Sequence, residues 1–187
     1  MRGSLAWVPN ALSLSRIPLG FVFVLTFDAT DTNAFWFAIA VLTVGFATDF
    51  LDGRLARFLG TTTRTGYFLD GLGDKVLYAA VLIVISQQDR RQMVLAWMLI
   101  VRELLLYAAR LIDPEADRNI AKFRFFSWAY ALSIWAYFGT FLWSKWGALA
   151  GSPTFATSLI SSVFGYLALT FGALHLSWLM SSMTKQT

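Results

Sequence analysis

The chain has 187 residues, of which 57% are hydrophobic, 17% aromatic and only 14% charged, against about 25% charged residues in a soluble domain. The apolar excess runs along the whole length, which excludes a soluble domain with one anchor and predicts a single polytopic membrane domain over residues 1–187. The absence of cysteine excludes disulfides and thiolate metal ligands. The net charge of +4 contains no basic run, so it gives nucleic-acid binding no support and fits an anionic membrane surface or a phosphate-bearing substrate.

A spanning helix needs about 20 mostly apolar residues. Six such stretches follow one another, so the expected fold is all-α with six transmembrane helices. Gly3–Asn10 is too short to span, and Trp7 beside Pro9 predicts a short interfacial segment with the indole at headgroup level. The N-terminus lacks the small-residue cleavage pattern of a signal peptide, so the first apolar stretch is expected to be retained. The spans are expected at Leu12–Phe27, Ala34–Leu59, Thr65–Ser86, Met93–Ile112, Phe123–Trp143 and Phe155–Met183. Their breaks fall at Asp28–Asn33, Gly60 with its threonines, Gln87–Gln92, Asp113-Pro114-Glu115 and Gly151-Ser152-Pro153. With the N-terminus inside, the cytoplasmic side holds Arg2, Arg54, Arg57, Arg64, Arg118, Lys122, Arg124 and Lys185, and the other side only Arg90, Arg91 and Lys145. That asymmetry predicts an N-in, C-in topology.

The most informative stretch lies between residues 49 and 74: Asp49-x2-Asp52-Gly53-x2-Ala56-Arg57, eight residues, then Gly66-x3-Asp70-x3-Asp74. A charge at the bilayer centre costs at least ~2.5–3.5 kcal/mol, so four carboxylates need compensation. On a helix, Asp49, Asp52, Gly53, Ala56 and Arg57 share one stripe, and Gly66, Asp70 and Asp74 share another. The short link makes the two helices antiparallel neighbours, so both stripes are expected to meet at the cytoplasmic boundary. An all-oxygen ligand set without histidine or cysteine fits two hard divalent cations, Mg²⁺ or Mn²⁺. Small residues at Gly53, Ala56 and Gly66 let a ligand approach the backbone, and Arg57 offers fixed positive charge to a phosphate. Gly71 and Gly73 are divided evenly between helix packing and the site.

These residues resemble the signature of the CDP-alcohol phosphotransferase family at every fixed position, including the eight-residue gap. The resemblance implies an integral membrane enzyme of phospholipid biosynthesis that transfers a substituted phosphate from a CDP-linked donor to an alcohol and releases CMP. By that resemblance Asp49, Asp52, Asp70 and Asp74 bind two metals, and Asp74 is also the catalytic base. Gly53, Ala56, Arg57 and Gly66 lie against the CDP moiety. A homodimer in the bacterial inner membrane, with the site facing the cytoplasm, is also implied.

The opening Asn10-Ala-Leu12-Ser13-Leu-Ser-Arg16-Ile resembles the N-x-L-T-x-x-R-I of the phosphatidylglycerolphosphate synthase and cardiolipin synthase branch, with Ser13 in place of threonine and a closer proline at Pro18. Leu69-Asp70-Gly71-Leu72-Gly73-Asp74-Lys75 is similar to that branch's L-D-P-x-A-D-K, with glycines in place of Pro and Ala. Arg102-Glu103 and Arg110 resemble its R-E element and following arginine, and Lys122-Phe-Arg124 stands in the place of G-K-x-K-T. Arg102, Arg110, Lys122 and Arg124 are therefore candidates for an anionic acceptor's phosphate, the bland alternative being cytoplasmic anchors and an Arg102–Glu103 pair. The expected reaction is transfer from CDP-diacylglycerol to glycerol 3-phosphate. Cardiolipin formation from phosphatidylglycerol and transfer from a CDP-amino-alcohol to diacylglycerol are the alternatives within the class. A cation transporter needs acids along the whole path, and the fifth and sixth spans contain none. His175, without companion ligands, is expected to be a packed or interfacial side chain, and Ser158, Ser161 and Ser162 are expected to pack helices.

Overall fold

A computed structural model describes residues 7–60, 63–112 and 124–184. Among the described residues the regular elements are α1 (Val8–Thr26), α2 (Thr32–Leu59), α3 (Arg64–Gln88), a 3₁₀ turn (Arg90–Gln92), α4 (Met93–Ile112), α5 (Arg124–Leu149) and α6 (Phe155–Thr184). Helix α1 starts earlier than the sequence predicts. Val8–Asn10 belong to it, and Pro9 sits in the first turn, where its missing N–H leaves no bond unmade. Of the expected interfacial segment, Trp7 is exposed just ahead of the helix, and residues 3–6 lie outside the described residues. Helix α5 runs on to Leu149 rather than ending at Trp143. Lys145 is accommodated there with its ammonium 5.4 Å above the Phe141 ring.

The turns have local causes. The Asp31 carboxylate accepts from the Asn33 N–H at 2.7 Å and caps α2. Gly60 follows the last residue of α2 with φ of +65°, a left-handed conformation that only glycine adopts without penalty. Thr63 then starts α3: its hydroxyl accepts from the Gly66 N–H at 3.0 Å.

Among the described residues, five helices are long and apolar enough to cross a membrane: α1, α2, the segment Arg90–Ala109, α5 and the segment Phe155–Ser181. Their outer surfaces carry large exposed apolar side chains such as Phe21, Trp97, Trp128 and Leu159. This is the architecture of an integral membrane protein. Helix α3, the remaining predicted span, has the length but is not among the five. Arg64, Asp70, Asp74 and Lys75 in its first half dilute the apolar content.

The fold divides into two compact units, residues 1–84 and 85–187, with the division inside α3. In the first unit α1 packs along α2, and α3 joins them through glycine contacts. A Cβ on Gly20 would meet Ala80 at 3.4 Å, and one on Gly45 would meet Leu77 at 3.0 Å. The tightest approach is at Gly73, where a Cβ would lie 2.5 Å from the Ser13 carbonyl oxygen. Backbone cannot yield there as a flexible side chain would, so Gly73 is a packing requirement of the α1–α3 contact. Gly73→Ala is expected to destabilise the protein by about 1–3 kcal/mol through overpacking. Thermal unfolding in detergent micelles would reveal it, and an unchanged midpoint would argue against this close approach.

In the second unit α5 and α6 form the main helix pair and α4 packs on α6. Gly165 of α6 admits Leu95 and Tyr137; a Cβ there would lie 2.6 Å from Leu95. A polar chain ties the 3₁₀ turn to α5 and α6: the Tyr137 hydroxyl donates to Gln92 at 3.0 Å and the Gln92 amide donates to Ser162 at 2.5 Å. Ser161 is buried and donates to the Tyr137 carbonyl at 3.4 Å. These serines link helices, as their positions in the apolar sixth stretch predict.

Candidate active site

The site is built by the first half of α1, the end of α2 and the first half of α3, all in the first unit. Asp49 and Asp52 stand one turn apart on α2, and Asp70 and Asp74 one turn apart on α3. Arg16 of α1 points into their midst and has no solvent exposure. Its Nη1 donates to Asp70 Oδ1 at 3.1 Å, to the Asp70 carbonyl at 3.3 Å and to Asp74, and lies 3.3 Å from Asp49 Oδ1. Its Nη2 donates to Asp52 Oδ2. One guanidinium thus touches all four carboxylates and leaves three negative charges uncompensated among these five groups.

The carboxylates are not equivalent. Asp52 is 3% exposed, and its Oδ2 also lies 2.6 Å from the Ser13 hydroxyl, which donates to it. Asp70 and Asp74 are each 42% exposed and Asp49 is 48% exposed. Asp49, Asp70 and Asp74 bring carboxylate oxygens within 4.8 Å of one another. That donor set is all oxygen, partly open to solvent and negatively charged, so it fits a hard divalent cation. Asp52 stands apart from the trio, turned toward α1.

Beside the carboxylates lies a cavity of about 230 Å³ that they share through Asp52 and Asp70. Gly53, Arg57 and Gly66 line it, together with Asn10, Thr63 and Tyr67. A Cβ on Gly53 would meet nothing nearer than the end of the Arg57 side chain at 3.7 Å, so this glycine opens the wall. A Cβ on Gly66 would press against Asn10 Oδ1 at 3.0 Å and Thr63 Oγ1 at 3.2 Å. The capped first turn of α3 borders the cavity, and the positive end of a helix favours an anionic ligand there. Arg57 adds a full positive charge at the exposed rim. The cavity therefore joins phosphate-binding features to a carboxylate cluster suited to metal. The side chain of Ala56 lies outside the described residues.

Sequence reasoning assigned no role to Arg16, Ser13, Asn10, Thr63 or Tyr67. The signal for Arg16 was present: it is the only charged residue in the first apolar stretch, and a lone charge inside a span calls for a partner. Nothing in the spacing identified which carboxylates it meets.

The four basic residues expected to receive an acceptor belong to the second unit. Arg102 is 5% exposed; its Nη1 donates to Glu103, its Nη2 lies 3.1 Å from His175 Nδ1, and its guanidinium stacks 3.7 Å from the Tyr130 ring centroid. Gly172 makes room for it, since a Cβ there would lie 3.0 Å from Arg102 Nε. His175 is accordingly a buried, packed residue. Arg124 is exposed at the start of α5. The Arg110 side chain and Lys122 lie outside the described residues.

Comparison with known proteins supplies the context for this geometry. The family model described as CDP-alcohol phosphatidyltransferase matches residues 6–179. A CDP-diacylglycerol–glycerol-3-phosphate 3-phosphatidyltransferase of Pseudomonas fluorescens is 32% identical over 124 residues, 65% of this chain and 64% of the relative. The protein of the same name from Escherichia coli K12 is 35% identical over 105 residues, 55% of this chain and 58% of the relative. The matched region thus spans less than two thirds of either relative. No solved structure matches the chain. With its family model running through both units and every signature acid gathered on one guanidinium, the chain belongs to the CDP-alcohol phosphatidyltransferase family.

Proposed function

We propose that this chain is a phosphatidyltransferase of phospholipid biosynthesis that moves the phosphatidyl group of CDP-diacylglycerol to glycerol 3-phosphate and releases CMP. The observation that carries the reading is the shared wall between the cavity and the carboxylates, where Gly53, Arg57 and Gly66 line the space that Asp52 and Asp70 border. The names of the relatives from P. fluorescens and E. coli support glycerol 3-phosphate as acceptor.

In this reading Asp49, Asp52, Asp70 and Asp74 hold two divalent cations, Mg²⁺ or Mn²⁺, which when bound neutralise the diphosphate and the departing phosphate. Gly53, Ala56 and Gly66 let the CDP moiety approach the backbone, and Arg57 pairs with its phosphate. Ser13 fixes the Asp52 carboxylate by its 2.6 Å hydrogen bond. The acceptor hydroxyl attacks the β-phosphorus in line with the oxygen that leaves on CMP, and Asp74 takes the hydroxyl proton. Arg110, Lys122 and Arg124 receive the acceptor's phosphate, as does Arg102 if its Glu103 pair opens.

The same reading takes the whole chain as one functional domain, because the family model runs through both compact units. It places α3 as the sixth span, with both termini in the cytoplasm, supported by the distribution of basic residues. The site then faces the cytoplasm from a bacterial inner membrane, and two copies associate as a homodimer.

An acceptor screen with purified protein and CDP-diacylglycerol tests the reaction. Glycerol 3-phosphate is expected to give metal-dependent CMP release at least about tenfold faster than phosphatidylglycerol or a neutral alcohol. Faster release with phosphatidylglycerol would reassign the chain to cardiolipin formation. Absence of CMP with every acceptor, alongside metal flux in vesicles, would replace the enzyme with a transporter.

A further inference from the structure

Arg16 holds the position that a cation serving Asp49, Asp70 and Asp74 would need. Its Nη1 is 3.3 Å from Asp49, 3.1 Å from Asp70 and within ion-pair contact of Asp74. These are the three residues whose oxygens gather closely enough to hold a metal. A guanidinium nitrogen and a divalent ion cannot share one point, and like charges at such separation repel strongly in a partly buried setting. The other nitrogen, Nη2, is on Asp52, outside that trio. The Nε of Arg16 is buried without a hydrogen-bond partner, so the side chain's attachment to the site runs through its two terminal nitrogens.

Resting on the metal reading above, we propose that Arg16 is the resident cation of the carboxylate cluster, a positioning residue that the divalent ion must displace from Asp49, Asp70 and Asp74. The planar fork allows the exchange to be stepwise: Nη1 can yield the trio to one ion while Nη2 still holds Asp52, which the second ion takes in turn. Arg16 thereby serves two ends. It neutralises part of a charge cluster that apolar helices cannot otherwise tolerate, and it sets the metal affinity below what four bare carboxylates would give. A lysine, with one nitrogen, cannot bridge Asp52 and the trio in the same way.

The test uses the full chain in detergent, with Mn²⁺ as probe. Bound Mn²⁺ is read from loss of the free-ion electron paramagnetic resonance signal, and thermal midpoints are taken in EDTA and in saturating Mn²⁺. Arg16→Gln is expected to bind Mn²⁺ at least about tenfold tighter than the parent, since a full positive charge has been removed from the site. Its midpoint should fall below the parent's in EDTA and regain most of the gap in Mn²⁺. Equal or weaker Mn²⁺ binding by Arg16→Gln would overturn the proposal. If Arg16→Gln does not fold, Arg16→Lys decides: affinity raised about threefold or more supports displacement, and unchanged or lower affinity refutes it. Asp70→Asn separates the two readings. If the parent and Asp70→Asn both leave Mn²⁺ free, the metal site itself is wrong; if only Asp70→Asn does, the Arg16 comparison stands alone.

Discussion

Asp70→Asn is expected to lower CMP release from CDP-diacylglycerol by at least about a thousandfold, roughly 4 kcal/mol of transition-state stabilisation. The fold should survive. Asp70 is 42% exposed, so its charge is not a buried one whose loss unbalances the helices, and asparagine keeps the shape. What disappears is an anionic oxygen at the one place where the carboxylate trio and the cavity coincide, for Asp70 belongs to both. An amide oxygen is a much weaker ligand for a hard cation, and the amide nitrogen turned inward would face Arg16 as a second donor. The checks are the initial rate at saturating donor and metal, the thermal midpoint in detergent, and loss and recovery of parent activity on adding EDTA and then excess Mg²⁺ or Mn²⁺. Activity within tenfold of the parent, in a protein of normal stability, would remove Asp70 from the metal set.

How far the site could be read in advance depended on which physical rule each part obeys. Helical periodicity alone puts Asp49 with Asp52 and Asp70 with Asp74, and a short link forces their helices to be neighbours, so the meeting of the four acids was legible. Arg16 was visible as an unpaired charge in an apolar stretch, but its target depends on the rotation of α1, which an almost uniformly apolar helix does not encode. Gly73 shows the same limit. Its closeness to Asp74 left site and packing equally open, and only the approach of the Ser13 carbonyl decides for packing. For α3, composition and role pull apart: the polar residues that build the site are those that dilute its hydropathy. The start of α1 was missed because Trp7 and Pro9 read as an interfacial break, whereas a proline in the first turn is compatible with a helix. The Arg102 environment was half legible. Its neighbour Glu103 is adjacent in sequence, while His175 and Tyr130 come from other helices and carry no local sign of the contact.

Arg102→Ala is expected to destabilise the protein by about 3–5 kcal/mol, because it takes the guanidinium away from the buried Glu103 carboxylate. Arg102 and Glu103 are each 5% exposed, so solvent cannot take over the lost interaction. The stacking on Tyr130 goes as well, and a desolvated cation over an aromatic face contributes about 2 kcal/mol. The apparent thermal midpoint should drop by roughly 10 °C for a chain of this size. A second change isolates the cause: adding Glu103→Gln removes the buried carboxylate charge as well and should recover at least about 1 kcal/mol relative to Arg102→Ala alone. The acceptor reading predicts a different pattern. If Arg102 reaches the glycerol 3-phosphate phosphate, Arg102→Ala raises KM for that acceptor, leaves KM for CDP-diacylglycerol unchanged, and gains nothing from Glu103→Gln. The geometry favours the first pattern, since Nη1 and Nη2 are already committed to Glu103 and His175 and Nε faces the Gly172 carbonyl at 3.5 Å. An acceptor phosphate would have to compete with a carboxylate that is adjacent in sequence and equally buried. A normal midpoint with a raised acceptor KM would therefore mean that this pair opens during turnover.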